Sequence, residues 1–313
     1  MKFLISFLFI ITHLQALSTE QINKIKSTYK IGMEIKASDG MTFGYSLASI
    51  MGQESSWGRY VVGDKWANGK LKPLYDSSLG NFQVKLETAK ITIKKFQHLK
   101  KKYAYLIYDG RINYDKFAKY KSDYIYLKTI TKDGFNSYFE AKSVHLLNNK
   151  NYDKILYYES ILNNPIWIKR YNSEEKRAIR TFKWAKKELK YHKNIHKNNI
   201  KKLKIKLKEQ YPQDLAHLKE VKIQYIKMKR KVDKDVLMVN KLLSDFNFGA
   251  EIAGHYLLLC YEQAKKKHFK NPLKKAIGRY NGGWNNTQYY LKVKERMKVV
   301  KKVINNNLNT MNK

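Results

Sequence analysis

Apolar positions recur at helical spacing along most of this chain, and one such row ends on a carboxylate. Phe43, Leu47 and Ile50 precede Glu54 by eleven, seven and four positions, the spacing of one helix face. A helix from about Met41 to Ser56 follows, stopping at Gly58, a residue suited to the left-handed position past a helix end. Residues 19–36 form a shorter amphipathic helix, closed by Ser38-Asp39-Gly40. The stretch "RYVVGDKWANGKLKPLYDSSLGNFQV" carries Gly63, Gly69, Pro73 and Gly80 among short β-favouring runs, and predicts loops with a small hairpin. Helical patterning resumes near Leu86, and residues 110–170 read as helical pieces broken near Gly134 and Pro165.

From residue 173 the helical signal strengthens. Asn172 or Ser173 can cap a helix whose first turn holds Glu174 and Glu175. Beyond Pro212, apolar residues from Leu215 through Val221, Tyr225, Val232 and Val236 to Phe246 are spaced only by threes and fours, a sustained seam. Two helices meeting at Pro212 predict an antiparallel hairpin over 172–245. A helix through "AEIAGHYLLLCYEQAKKK" and a last one around 287–304 complete the pattern, with an asparagine-rich flexible tail at 305–313.

Composition narrows the setting. Of 313 residues, 43% are hydrophobic, enough for a core, yet the formal charge is +37. A surface this basic attracts polyanions. Residues 181–240 alone hold 18 Lys/Arg against 6 Asp/Glu, which reads either as a solvated face of snorkelling lysines or as an anion-binding arm. Lys2, the run "FLISFLFII" and a small residue at Ala16 read as a signal peptide over 1–16, too short to span a membrane. Export then predicts a periplasmic or secreted protein with no nucleic-acid partner and no stable membrane span after cleavage. Cys260 is the only cysteine, so stability rests on packing; its place on an apolar helix face marks a small core residue. His192 and His196 lie four apart, but no carboxylate or cysteine stands at ligand spacing, and no metal or cofactor is expected.

Three stretches carry chemistry together: "ESSWG" with Glu54, "SLGNFQVKLETA" with Gly80, Gln83 and Thr88-Ala89, and "AIGRYNGG" with Tyr280-Asn281. In this order they resemble the motifs of the soluble lytic transglycosylases, bacterial peptidoglycan-cleaving enzymes of goose-type lysozyme fold. "AEIAGHYL" is similar to the Ala/Gly-rich helix before that family's last motif. Asn81-Phe82 and Lys85-Leu86 depart from its usual residues. The resemblance implies a mostly α, lysozyme-like domain in two parts, 17–90 and 245–304, with a small β-hairpin region. The long basic helical insertion is then 91–244.

By the same resemblance Glu54 is the general acid, then the base, in cleaving the MurNAc-GlcNAc β-1,4 bond with formation of a 1,6-anhydro end. Ser55 would steer Glu54 or contact substrate, Gln83 would line the cleft floor, Tyr280 would hydrogen-bond near the acid, and Asn281 would hold the turn. Burial against the apolar row would raise the acid's pKa, as a proton donor requires. Asp64 and Asp76 lie between the first two motifs; as loop acids they are bystanders, but either one facing Glu54 would permit a hydrolytic muramidase. A third reading is a catalytically inactive wall-binding protein whose basic insertion docks on the cell envelope or a secretion assembly.

Overall fold

Ser18 starts the first helix. Its hydroxyl accepts from the Gln21 amide (3.2 Å) while Gln21 Oε1 accepts from the Ser18 amide (3.0 Å), which satisfies two otherwise orphaned donors. The computed structural model describes residues 17–64, 66–67, 70–146 and 149–311; the leader expected at 1–16 lies outside them. The chain is mostly helical and divides into two compact units, Met1–Gly110 with Lys231–Lys313, and Arg111–Arg230. The first unit therefore takes in more chain than the expected 17–90 and 245–304.

In the first unit, helix α1 (Thr19–Glu34) crosses α2 (Gly44–Ser55). At the crossing a Cβ on Gly32 would lie 2.8 Å from the Gly44 Cα, so only glycine admits this approach. The apolar row expected on α2 is there, with Phe43, Leu47 and Ile50 each fully buried. The helix is not half-exposed, however: Ser46, Ala48, Ser49, Met51, Gly52 and Ser55 are buried as well. Leu47 and Met51 share a core with Phe82, Leu86 and Phe248, and Phe43 and Ile50 share another with Leu257, Cys260 and Val293. A helix rich in small residues can be enclosed this way because its neighbours reach its backbone closely.

Between α2 and α3 (Leu86–Lys95), the described residues form five two-residue strands. Strands β1 (Val62–Gly63), β4 (Ser78–Leu79) and β5 (Val84–Lys85) pair antiparallel in the order β1-β4-β5, and β2 (Trp66–Ala67) pairs with β3 (Lys70–Leu71). Helix α4 (Gln97–Lys102) follows.

The second unit opens with α5 (Tyr114–Thr131), α6 (Phe135–Leu146), α7 (Asn149–Leu162) and α8 (Pro165–Asn172), with breaks at Gly134 and Pro165 where the sequence placed them. The expected hairpin over 172–245 is not formed. A single helix, α9, runs from Lys176 to Ser244 straight through Pro212. A proline inside a helix removes a hydrogen bond and costs about 3 kcal/mol. Packing on both sides of it offsets that cost: the Tyr211 ring lies 5.8 Å from Phe135 and 5.0 Å from Tyr138, and Asp214 accepts from the Tyr138 hydroxyl at 2.8 Å. Leu207 before the proline and Val221 after it join the same core as Leu127 and Ile130.

The seam beyond Pro212 is not uniformly buried. Val221 and Val239, 18 residues and so five whole turns apart, are buried, but Val236, about 60° around the helix from both, is 52% exposed. Asp235 takes the inward place instead, 2% exposed. Its Oδ1 lies 2.7 Å from Lys90 Nζ, and its Oδ2 accepts from the Tyr108 hydroxyl at 2.6 Å. This buried pair ties α3 to the last turns of α9 inside the first unit.

Back in the first unit, α10 (Phe246–Lys266), α11 (Pro272–Tyr280) and α12 (Thr287–Met311) complete the chain. The last helix continues to Met311, where a frayed tail from 305 was expected. Among the described residues no helix is long and apolar enough to cross a membrane.

Removing one partner of a buried ion pair strands the other charge. Lys90→Met should therefore lower stability by about 3–5 kcal/mol in denaturant unfolding, and adding Asp235→Leu should restore most of it.

Candidate active site

The site begins where α2 ends. Ser56 (φ 50°), Trp57 (φ 64°) and Gly58 (φ 89°) are three successive left-handed residues, so the expected stop at Gly58 comes with two further reversals before it. Such backbone costs of order 1–3 kcal/mol per non-glycine residue and persists only where its surroundings hold it. Ser55 and Trp57 hold it here. The buried Ser55 hydroxyl donates to the Met51 carbonyl (3.0 Å) and accepts from the Gly58 amide (2.8 Å). Trp57 folds back so that its ring covers Gly52, where a Cβ would overlap it. Ser55 is thus turned into the core, and neither steers Glu54 nor lines the cleft. Adjacent helical residues point about 100° apart, which sends Ser55 inward as Glu54 faces out.

Glu54 opens onto a cavity of about 570 Å³. Two donors converge on one of its oxygens, Oε1: the Tyr289 hydroxyl at 2.5 Å and Asn281 Nδ2 at 3.2 Å. Burial pushes the Glu54 pKa up, the two hydrogen bonds oppose this, and the charge of Asp64 raises it further; the net shift is upward. A carboxyl held this way keeps its proton to higher pH than an exposed one. With Oε1 engaged twice as an acceptor, Oε2 is the oxygen left to carry that proton.

The donors are set by helix ends. Asn271 caps α11 through the Lys274 amide (3.0 Å), and Asn281 follows the helix's last residue. Asn286 caps α12 by accepting from the Tyr289 amide (3.1 Å), and its own amide donates to the Asn281 carbonyl (2.7 Å). These two asparagines therefore fix both donors relative to each other. The expected roles of Tyr280 and Asn281 change accordingly. Asn281 is the one that bonds the acid. Tyr280 lines the cavity, but its hydroxyl donates to the Phe82 carbonyl (2.9 Å), and burial drives its pKa well above the usual tyrosine value.

Gln83 is part of the cavity wall. It is itself left-handed (φ 51°), and its Nε2 donates to the carbonyls of Gly80 (2.9 Å) and Tyr60 (3.3 Å). A Cβ on Gly63 would overlap its amide oxygen, so a larger residue there would move the Gln83 side chain from this position. Asp64 lines the same cavity, its Oδ2 accepting from the Ser78 hydroxyl at 3.2 Å with Lys85 Nζ at 4.0 Å. Asp76 is exposed on a short 3-10 turn (Leu74–Asp76) and is not among the cavity residues.

No family model matches the chain, and no curated protein or solved structure matches it. The site's reading therefore rests on its own geometry.

Tyr289 was not foreseen from the sequence. The signal for it existed: Tyr289, Val293, Met297, Val300 and Ile304 step by four, four, three and four, so its hydroxyl ends an apolar row just as Glu54 does. Thr88, Tyr256 and Arg279 also face the cavity. Elsewhere, His192 is buried with its ring stacked on Tyr158, and its Nδ1 lies 3.3 Å from Asn151 Oδ1. Burial of Cys260 pushes its thiol up to about 11, the state of a core residue rather than a nucleophile.

The raised Glu54 pKa has a thermodynamic sign. A carboxyl whose folded pKa exceeds its unfolded value costs stability once the pH rises through both, and costs nothing below the unfolded value. Glu54→Gln should therefore melt above the wild type at neutral pH, with the gap closing as the pH falls below about 4.

Proposed function

We propose that the protein is a peptidoglycan lytic transglycosylase of lysozyme-like fold, exported to the periplasm or cell exterior, with Glu54 as its single acid and base. The observation that carries this reading is the half-buried Glu54 carboxyl at the cavity wall, with both donors on Oε1 and Oε2 left for the proton. In this reading Oε2 delivers that proton to the glycosidic oxygen as the bond from C1 breaks. The carboxylate so formed, steadied by Tyr289 and Asn281, then takes the proton of the same sugar's C6 hydroxyl. That oxygen closes onto C1, giving a 1,6-anhydro ring and returning Glu54 to its acid form. Intramolecular attack supplies the effective concentration that other glycosidases obtain from a bound water and a second carboxylate.

Asp64 favours a second reading. It shares the cavity with Glu54 and is oriented by Ser78, so it is the group that would activate a water in a hydrolytic muramidase. Mass spectrometry of a sacculus digest separates the two: 1,6-anhydro muropeptides are expected, and reducing ends alone would overturn the transglycosylase reading. Glu54→Gln should abolish either activity while the fold remains.

The pH profile tests the roles. Activity should fall as the pH rises through the Glu54 pKa, since the proton is then lost. Tyr289→Phe removes a donor that stabilises the carboxylate and should move this limb to higher pH. Asp64→Asn removes a neighbouring negative charge and should move it to lower pH.

A further inference from the structure

One flank of α9 is made of lysine alone. Lys183, Lys186, Lys190 and Lys193 follow one another by three, four and three residues; Lys197, Lys201, Lys204 and Lys208 continue by four, four, three and four. At 3.6 residues per turn these eight fall within a sector of roughly 80°, in a line about 38 Å long. Each of them is exposed, and between residues 183 and 208 every position in that sector is lysine. Lysines one turn apart repel, by about 0.2–0.5 kcal/mol per pair. A merely solvated face would intersperse acids, yet among the described residues Lys193 is the one of the eight that meets a carboxylate, Glu159 at 2.7 Å.

We propose that this ridge docks a linear anionic glycan, its carboxylates on the lysine row and its sugar rings on the neighbouring side chains. Next to the row around the same helix come Asn194 and Asn198, both exposed. Beyond them, about 80–100° from the row's edge, stand Tyr191 (59% exposed) and Trp184 (46% exposed), the latter edge-on to Tyr158. Flat aromatic faces and amides suit sugar rings. The stretch 183–208 contains no arginine, the residue whose planar fork suits phosphate recognition. A helix lying on a bilayer presents a continuous apolar face; that of α9 is covered, with Phe182 stacked on Tyr171 and His192 on Tyr158. Its exposed apolar residues Trp184, Tyr191 and Ile205 are separated by exposed Lys187, Asn194, Asn198 and Lys202. The choice of a glycan rests on the wall-cleaving reading of the first unit; the ridge itself does not.

The test uses the full chain carrying Glu54→Gln, so that binding is read without cleavage. The probes are insoluble sacculi and polygalacturonate, a linear glycan with a carboxylate on every ring, beside neutral dextran, oligothymidylate and anionic phospholipid vesicles. Lys186→Gln, Lys190→Gln, Lys197→Gln and Lys201→Gln together should weaken binding to sacculi and polygalacturonate on the order of tenfold and flatten its salt dependence. A control with the same charge change, Lys121→Gln, Lys132→Gln, Lys219→Gln and Lys222→Gln, should not, and circular dichroism should show both variants equally helical. Equal losses in ridge and control variants, or none in either, would overturn the ridge. Ridge-dependent binding of oligothymidylate or vesicles but not of polygalacturonate would overturn the partner. A failed sacculus digest with ridge binding intact would sink the cleavage reading alone.

Discussion

Keeping one carboxyl mostly out of water, yet open to a cleft, is the constraint on which the first unit turns. Glu54 ends a helix enclosed on all sides, and enclosure of that helix needs glycines at its crossings and small residues along it. The chain must then leave the helix at once, which the left-handed run Ser56-Trp57-Gly58 accomplishes. The carboxyl's two donors come from the turn between α11 and α12, where a pair of asparagines holds both in place. Burial raises the pKa and the donors restrain it. A proton donor needs that balance, since a group too easily or too reluctantly ionised transfers nothing near neutral pH.

The second unit obeys a different rule. Its core is rich in rings such as Tyr138, Tyr158, Phe182 and Tyr211. These broad contacts leave one flank of α9 exposed, touched there by an ion pair at Lys193 and by rings under Lys186 and Lys204. That exposure is what allows a row of lysines with no interruption. Stability in this unit comes mainly from one side of the helix, so the lysine row on the other can change with little effect on the core.

Much of this was legible in the sequence. The apolar row that makes a charge at Glu54 costly is a periodic signal, and Gln83 and Asn281 stand in local motifs that survive folding. The parts that were not legible each depended on contact across the chain. Ser55 looks like a site residue beside Glu54, but a step of 100° around the helix puts it in the core. Pro212 reads as a break by propensity, and only the rings of Phe135 and Tyr138, more than 70 residues away in the chain, keep the helix going. Tyr289 is one tyrosine among 24, and although it ends an apolar row, only the contact across the chain shows that its hydroxyl meets Glu54.

The acid and its two donors are separated by 227 and 235 positions, with the whole of the second unit translated between them. Contacts of such long range form late and slowly. A nascent or truncated chain therefore holds Glu54 without Asn281 and Tyr289, and the site is assembled only after translation has passed the second unit and reached α12. The order of elements thus works as a timer, in which the carboxyl stays without its donors until the chain beyond the second unit has been made.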